Sequence, residues 1–197
     1  MYFFLFLLFI ILFLLIVYFA LEIIFVSPST STKWHIVTEC SPDQELHSKR
    51  NLLFHQDITV FPSSIISYCE TVEQVEFAGS DCCFMPGSFE GCANLEYIKL
   101  PHRLERIPDN MFRYCSSLKE IIIPSTVKSI GKNAFQGCSG LTSVTFGDTS
   151  EWYVTKSETG AAKEAYDKIV ELNSEKPTEN AKKLVKEYAD RYWYKKK

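Results

Sequence analysis

The chain has 197 residues, a formal charge of −3 and 46% hydrophobic residues. That length bounds it to one or two domains. From Lys156 onward there are eleven Lys/Arg against eight Asp/Glu, leaving ten against sixteen before it, and neither portion has the basic footprint of a nucleic-acid-binding protein.

Much of the apolar content lies at the start. Residues 2–26 carry a single charge, Glu22, among Phe, Leu, Ile, Val and Tyr, a run long enough to span a bilayer as a helix. No Lys or Arg precedes the run and no Ala-x-Ala follows it, so a retained transmembrane anchor (1–26) fits better than a cleaved signal segment. Cleavage of an atypical signal peptide is the alternative and would make the protein secreted. Lys33 is the only nearby basic residue, which leaves membrane orientation open. Cys40, preceded by Val37-Thr38-Glu39, does not resemble a lipid-attachment cysteine. Residues 27–48 begin Ser-Pro-Ser-Thr-Ser-Thr and read as a linker, with a short strand at Trp34–Thr38 as a possible N-terminal cap.

A repeat of 23 residues governs the segment 49–155. Cys69, Cys92, Cys115 and Cys138 form one column, and Ile66, Phe89, Phe112 and Phe135 run beside it. Phe61, Phe84, Ile107 and Ile130 make a third. The strand-like part of each unit supplies three more: Val72, Leu95, Leu118, Leu141; Val75, Ile98, Ile121, Val144; and Phe77, Leu100, Ile123, Phe146. Leu52 and Phe54 extend two columns into a partial first unit. A fixed period of this size is the signature of a solenoid, in which one unit cannot bury its own face but a stack can. Each unit predicts a strand, stopped by proline at Pro101 and Pro124, then a second short apolar pair (Leu104/Ile107, Val127/Ile130), then a helical turn such as Asn110-Met-Phe or Asn133-Ala-Phe that drops its Phe inward. Asp81 interrupts the Leu104/Val127 column beside Cys82-Cys83, so a distorted rung is expected there.

After Phe146 the repeat ends, and Trp152 is expected to cover the last rung. Residues 156–197 predict a helical cap. Ala162, Ala165, Tyr166, Ile169 and Val170 share one helical face. After Pro177, with Thr178 as N-cap, Ala181, Leu184, Val185, Tyr188, Ala189, Tyr192 and Trp193 repeat the pattern. The terminal lysines suit a helix C-terminus.

The unit Leu118-Lys-Glu-Ile-Ile-Ile-Pro-Ser-Thr-Val-Lys-Ser-Ile-Gly-Lys-Asn-Ala-Phe-Gln-Gly-Cys-Ser-Gly-Leu141 resembles the repeat of BspA-like leucine-rich repeat proteins. The unit from Leu95 to Cys115 matches less tightly, with Arg113-Tyr114 in place of Gln-Gly. The resemblance spans roughly 49–155, with weaker likeness at Glu151-Trp152 and Tyr192-Trp-Tyr-Lys. It implies a curved solenoid displayed at a cell surface that engages proteins or matrix without catalysis. The expected fold is α/β: a short leucine-rich repeat solenoid with one strand plus a short turn or helix per rung, C-terminal helices and an N-terminal transmembrane helix.

Chemistry finds little support. Seven cysteines leave at least one without an intramolecular partner. Column cysteines on adjacent rungs fall within Cα reach of a disulfide, but parallel side chains oppose its torsion, so buried thiols are expected. Cys82-Cys83 is the more reactive-looking pair, yet lacks Cys-x-x-Cys spacing and reads as an irregular turn. His35, His47, His55 and His102 share no ligand spacing. No phosphate loop, paired-carboxylate motif or Gly-x-Ser-x-Gly occurs, so neither a cofactor nor an enzyme is expected.

Recognition is instead expected on the lateral sheet, at the residues between buried strand positions: Gln74 and Glu76, Tyr97 and Lys99, Glu120 and Ile122, Ser143 and Thr145. Tyr97 and Ile122 stand out, because aromatic and apolar groups favour interface cores. The expected function is a membrane-tethered module for protein–protein or cell/matrix adhesion. The alternative is a truncated structural remnant of a larger surface protein that binds nothing itself.

Overall fold

The computed structural model describes residues 33–40, 46–63, 65–158 and 168–196. The transmembrane helix expected over residues 2–26 lies outside them. Among the described residues no helix is long and apolar enough to cross a membrane.

The repeat unit folds into β1 (His35–Val37), β2 (Asn51–Phe54), β3 (Val60–Phe61), β4 (Gln74–Phe77), β5 (Cys83–Phe84), β6 (Tyr97–Lys99) and β7 (Arg106–Ile107). It continues through β8 (Glu120–Ile123), β9 (Ser129–Ile130) and β10 (Ser143–Phe146). The C-terminal part adds β11 (Trp152–Thr155), β12 (Lys168–Val170), α1 (Pro177–Lys182) and β13 (Tyr192–Lys195).

Every rung runs along three faces. On the first, β1, β2, β4 and β6 pair in parallel, and β8 pairs with β10. The second is built from the two-residue strands, β3 with β5 and β7 with β9, also in parallel. These are the short apolar pairs of the sequence, and their pairing makes them a second sheet.

The third face was expected to be a helical turn and is not one. Its N–H groups alternate instead. Gly87, Phe89 and Gly91 donate to the carbonyls of Asp109, Met111 and Arg113 on the next rung, while Glu90 and Cys92 donate back three residues to Gly87 and Phe89. Two positions per rung take a left-handed backbone to make this possible. One is Gly87, Asn110 and Asn133; the other is Tyr68, Gly91, Tyr114 and Gly137. Glycine and asparagine are the residues that adopt φ > 0 with little strain. The tyrosines are not.

Inside, the columns become stacks. Phe89, Phe112 and Phe135 lie face to face at 5.5 and 5.2 Å, close to the ~4.8 Å spacing of paired strands. Where Ile66 stands in place of a Phe, the ring of Phe61 reaches over Phe89 at 5.0 Å. Phe54 stacks on Phe77 at 5.1 Å. All four column cysteines are buried.

The distorted rung is a one-residue slip. Asp81 is exposed, and Cys82 is buried in its stead. From Phe77 the chain takes five residues to its inward Cys82 and two more to Phe84, whereas from Leu100 it takes four to Leu104 and three more to Ile107. Both rungs therefore re-enter register at the second sheet.

The C-terminal cap departs most from the sequence expectation. Trp152 does cover the last rung, edge-on to Phe146 at 5.6 Å. The helical reading of 156–197 is otherwise corrected. Ile169 and Val170 belong to strand β12, and Tyr192 and Trp193 to strand β13. Ala162, Ala165 and Tyr166 lie outside the described residues. Among the described residues only α1 is α-helical, followed by a π turn over Lys183–Glu187. Its N-cap is Lys176 with Pro177 at the first position, so Thr178 lies inside the helix. The last-rung strand β9 would be left with an open edge, and β13 closes it antiparallel. β11 pairs with β13, and β12 with β11. Lys195 meets Asp148 in an ion pair and draws its carboxyl down to about 2.

All three faces of the last rung thus find partners in the cap. On the first face, buried Asn180 of α1 donates to the Val144 carbonyl at 3.2 Å. On the second, β13 pairs with β9. On the third, Asn133 donates to the Ala189 carbonyl at 2.9 Å, as Asn110 does to Lys132 one rung earlier. Trp152 and Trp193 seal the core, and their indole N–H groups donate to the carbonyls of Asp148 and Tyr188.

Candidate interaction face

Alternation along β4, β6, β8 and β10 sends Val75, Ile98, Ile121 and Val144 into the core. Their neighbours face outward in two rows, as a period of two requires. The first row is Gln74, Tyr97, Glu120 and Ser143; the second is Glu76, Lys99, Ile122 and Thr145. Direct register pairs Gln74 with Tyr97, Glu76 with Lys99, Glu120 with Ser143 and Ile122 with Thr145. All eight expected positions therefore share one face.

They are not equally available. Gln74, Glu76, Ser143 and Thr145 are half-buried, and the four residues of the two middle strands are exposed. Tyr97 is 38% exposed and Ile122 is 68% exposed. Burial raises the Tyr97 phenol above its ordinary pKa, and the carboxylates of Glu76 and Glu120 push the same way. The ring is thus a neutral group between two acids. Glu76 and Lys99 oppose one another in charge across the β4/β6 pair, which favours that register.

Two further residues extend the second row. Leu53 pairs with Glu76, and Ile36, which is exposed, pairs with Leu53. Subtracting 23 from Glu76 finds Leu53. Ile36 is only 17 residues before Leu53, so the period could not reveal it.

The thiols are placed for packing. Cys92, Cys115 and Cys138 each donate from Sγ to a main-chain carbonyl of the preceding rung: Ile66 at 2.9 Å, Phe89 at 3.1 Å and Phe112 at 3.0 Å. Burial pushes Cys92 and Cys138 up to about 12 and Cys115 well above its usual value. Such thiols hold their proton at neutral pH and are poor nucleophiles. Of the Cys82-Cys83 pair, Cys82 turns inward, with burial raising its thiol to about 12, and Cys83 is exposed. Among the described residues no group of three His, Cys, Asp or Glu is placed to hold a metal ion.

A stack of 23-residue rungs with a parallel sheet on one side, phenylalanine ladders inside and an end cap is a leucine-rich repeat solenoid. The sequence profile described as the BspA type leucine rich repeat region matches residues 45–155 in six copies. The chain belongs to this family. Among solved structures it is similar to a leucine rich cell surface protein from Faecalibacterium prausnitzii, at 18% identity and a TM-score of 0.33, covering 59% of this chain and 44% of that one. The chain therefore spans under half of that protein's length. No curated protein matches the sequence.

Proposed function

We propose that this chain is a non-enzymatic adhesion module, held at a cell surface by residues 2–26, that binds another protein through the outer face of its first sheet. One observation carries the reading: Ile122 and Tyr97 project from adjacent strands whose opposite faces are fully packed. Side chains on so rigid a backing need little ordering on association. An exposed isoleucine beside an amphipathic ring also matches the composition of interface cores better than that of ordinary surface.

The reading is tested with the full-length chain in detergent micelles against immobilised extracellular-matrix proteins, collagen and laminin, and against intact mammalian cells. The Tyr97→Ala/Ile122→Ala double variant should bind roughly tenfold or more weakly, as expected for central contact residues, with an unchanged thermal midpoint. If wild-type protein binds none of these surfaces, or if the double variant binds as well as wild type, the sheet is only scaffold and the chain is a structural remnant.

A further inference from the structure

The third face carries a feature that packing does not require. Its left-handed column reads Tyr68, Gly91, Tyr114, Gly137, with φ of 58°, 73°, 63° and 79°. A bulky residue at positive φ is a genuine outlier, and two rungs of this column meet the same backbone demand with glycine. The tyrosines are also mounted in a consistent way. A Cβ on Gly91 would come within 2.4 Å of the Tyr68 ring, and one on Gly137 within 2.4 Å of the Tyr114 ring. Each ring rests on the glycine of the following rung, so tyrosine in one rung requires glycine in the next. Neither ring enters the core: Tyr68 is 64% exposed and Tyr114 is 47% exposed. Strained backbone that holds a side chain out in solvent is the kind of outlier from which function is inferred.

A polar row runs alongside. The Glu90 carboxylate lies beside the Tyr68 phenol and pushes its pKa up. Arg113 pairs with Glu90 at 3.3 Å, donates to Gln136 Oε1 at 3.1 Å and to the Tyr114 hydroxyl at 2.9 Å, and lies over the Tyr114 ring at 4.6 Å. The acid and the base cancel, so the patch favours an uncharged partner. Glu90 Oε1 and Gln136 Oε1 accept from Arg113. Capacity for donation remains: the Tyr114 hydroxyl accepts from Arg113 and keeps its own proton free, and a guanidinium has five N–H groups.

We infer that Tyr68 and Tyr114 form a docking platform for a proline-rich peptide in the polyproline II conformation, lying along the solenoid axis. The two rings are two rungs apart, roughly 10 Å, given about 4.8 Å per paired strand and 5.5 and 5.2 Å between the stacked Phe rings of the neighbouring column. A polyproline II helix repeats its faces every three residues, about 9.3 Å. Prolines at i and i+3 would therefore meet successive rings, as aromatic surfaces do in known proline-rich recognition. The peptide's carbonyls are unpaired acceptors and proline has no N–H, which matches a surface with donors to spare. A glycan would also stack on the rings, and the test below separates the two.

The test uses the full-length chain in detergent micelles with fluorescein-labelled deca-proline as probe, and cellohexaose and a Gly-Ser decapeptide as comparisons. Deca-proline should bind saturably and the Gly-Ser peptide should not. Tyr68→Gly and Tyr114→Gly should each weaken deca-proline binding at least tenfold, with a thermal midpoint equal to or above wild type, because glycine relieves the backbone. Tyr114→Asn, which keeps a residue tolerant of this conformation, should behave alike. The Tyr97→Ala/Ile122→Ala variant should retain full deca-proline binding, so this platform and the first-sheet face stand or fall separately. The inference is overturned by absence of saturable deca-proline binding, by undiminished binding in the ring variants, or by loss of deca-proline binding in the first-sheet variant. Tyrosine-dependent binding of cellohexaose without deca-proline binding would also overturn it, and would assign the platform to glycans.

Discussion

A cysteine at 92, 115 or 138 does what neither alanine nor serine would do there. It is small and apolar enough for full burial, and its S–H still reaches a carbonyl of the rung before it. Both contributions require the thiol, and ionisation removes them. Cys92 and Cys138 stay protonated in the fold up to about 12, against an ordinary value of 9.0. The sign follows directly: the folded value is raised, so the stabilisation is complete below the unfolded value and drains away as pH climbs from 9 toward 12. Thermal unfolding followed by circular dichroism should show the midpoint falling steeply over that window. A Cys92→Ala/Cys138→Ala variant should start lower at pH 7, by about 1–2 kcal/mol per site, and show a shallower alkaline fall. The 23-residue period reveals the cysteine column because cysteine recurs in it unchanged. It does not reveal the Tyr68, Gly91, Tyr114, Gly137 column, because ring and glycine look unrelated until one is seen resting on the other.

At the scale of elements, strands of the first sheet were legible because alternation and period agree. The C-terminal segment was not, since apolar residues three and four apart in so short a stretch fit several structures. Its Tyr192-Trp193-Tyr194 run has the aromatic content that strands favour, but the deciding demand is tertiary. The edge of β9 needs a partner, and β13 is the strand that supplies it. On the neighbouring face no strand among the described residues closes β10, and a single side chain does part of that work: Asn180 donates to Val144 and Asn173 and accepts from the Asn173 N–H. Replacing it with alanine leaves buried main-chain groups without partners. Asn180→Ala should lower stability by about 1–3 kcal/mol in urea unfolding, while Glu179→Ala, one residue away and exposed, should leave the midpoint in place.

For the whole molecule, stability is a sum over rungs and the contacts between neighbours, and an uncovered end exposes both core and unpaired strand edges. Ending the chain at Lys176 removes α1 and β13 together and uncovers Phe146, Ile130 and the edges of β9 and β10. That truncated protein should lose the sharp cooperative unfolding of the full chain and scatter light at concentrations where the full chain stays monodisperse. Eight positions chosen by arithmetic fall on one face at this scale because the period carries them. The break in period at Ile36 and the slip at Cys82 mark where arithmetic stops and packing takes over.

The thiol bonds have a consequence for growth. Cys92 to Ile66, Cys115 to Phe89 and Cys138 to Phe112 each span 26 residues, and Arg106 with Ser129 and Glu120 with Ser143 each span 23. Each bond is addressed relative to its neighbour and never to a fixed place in the chain. A duplicated stretch such as 118–140, which repeats Gly137 after Tyr114, would therefore find its partners already waiting, above and below, and would lengthen the molecule by about 4.8 Å without a change to either end. Length, in such a protein, is an adjustable quantity: gene duplication can tune the extent of the stack one rung at a time.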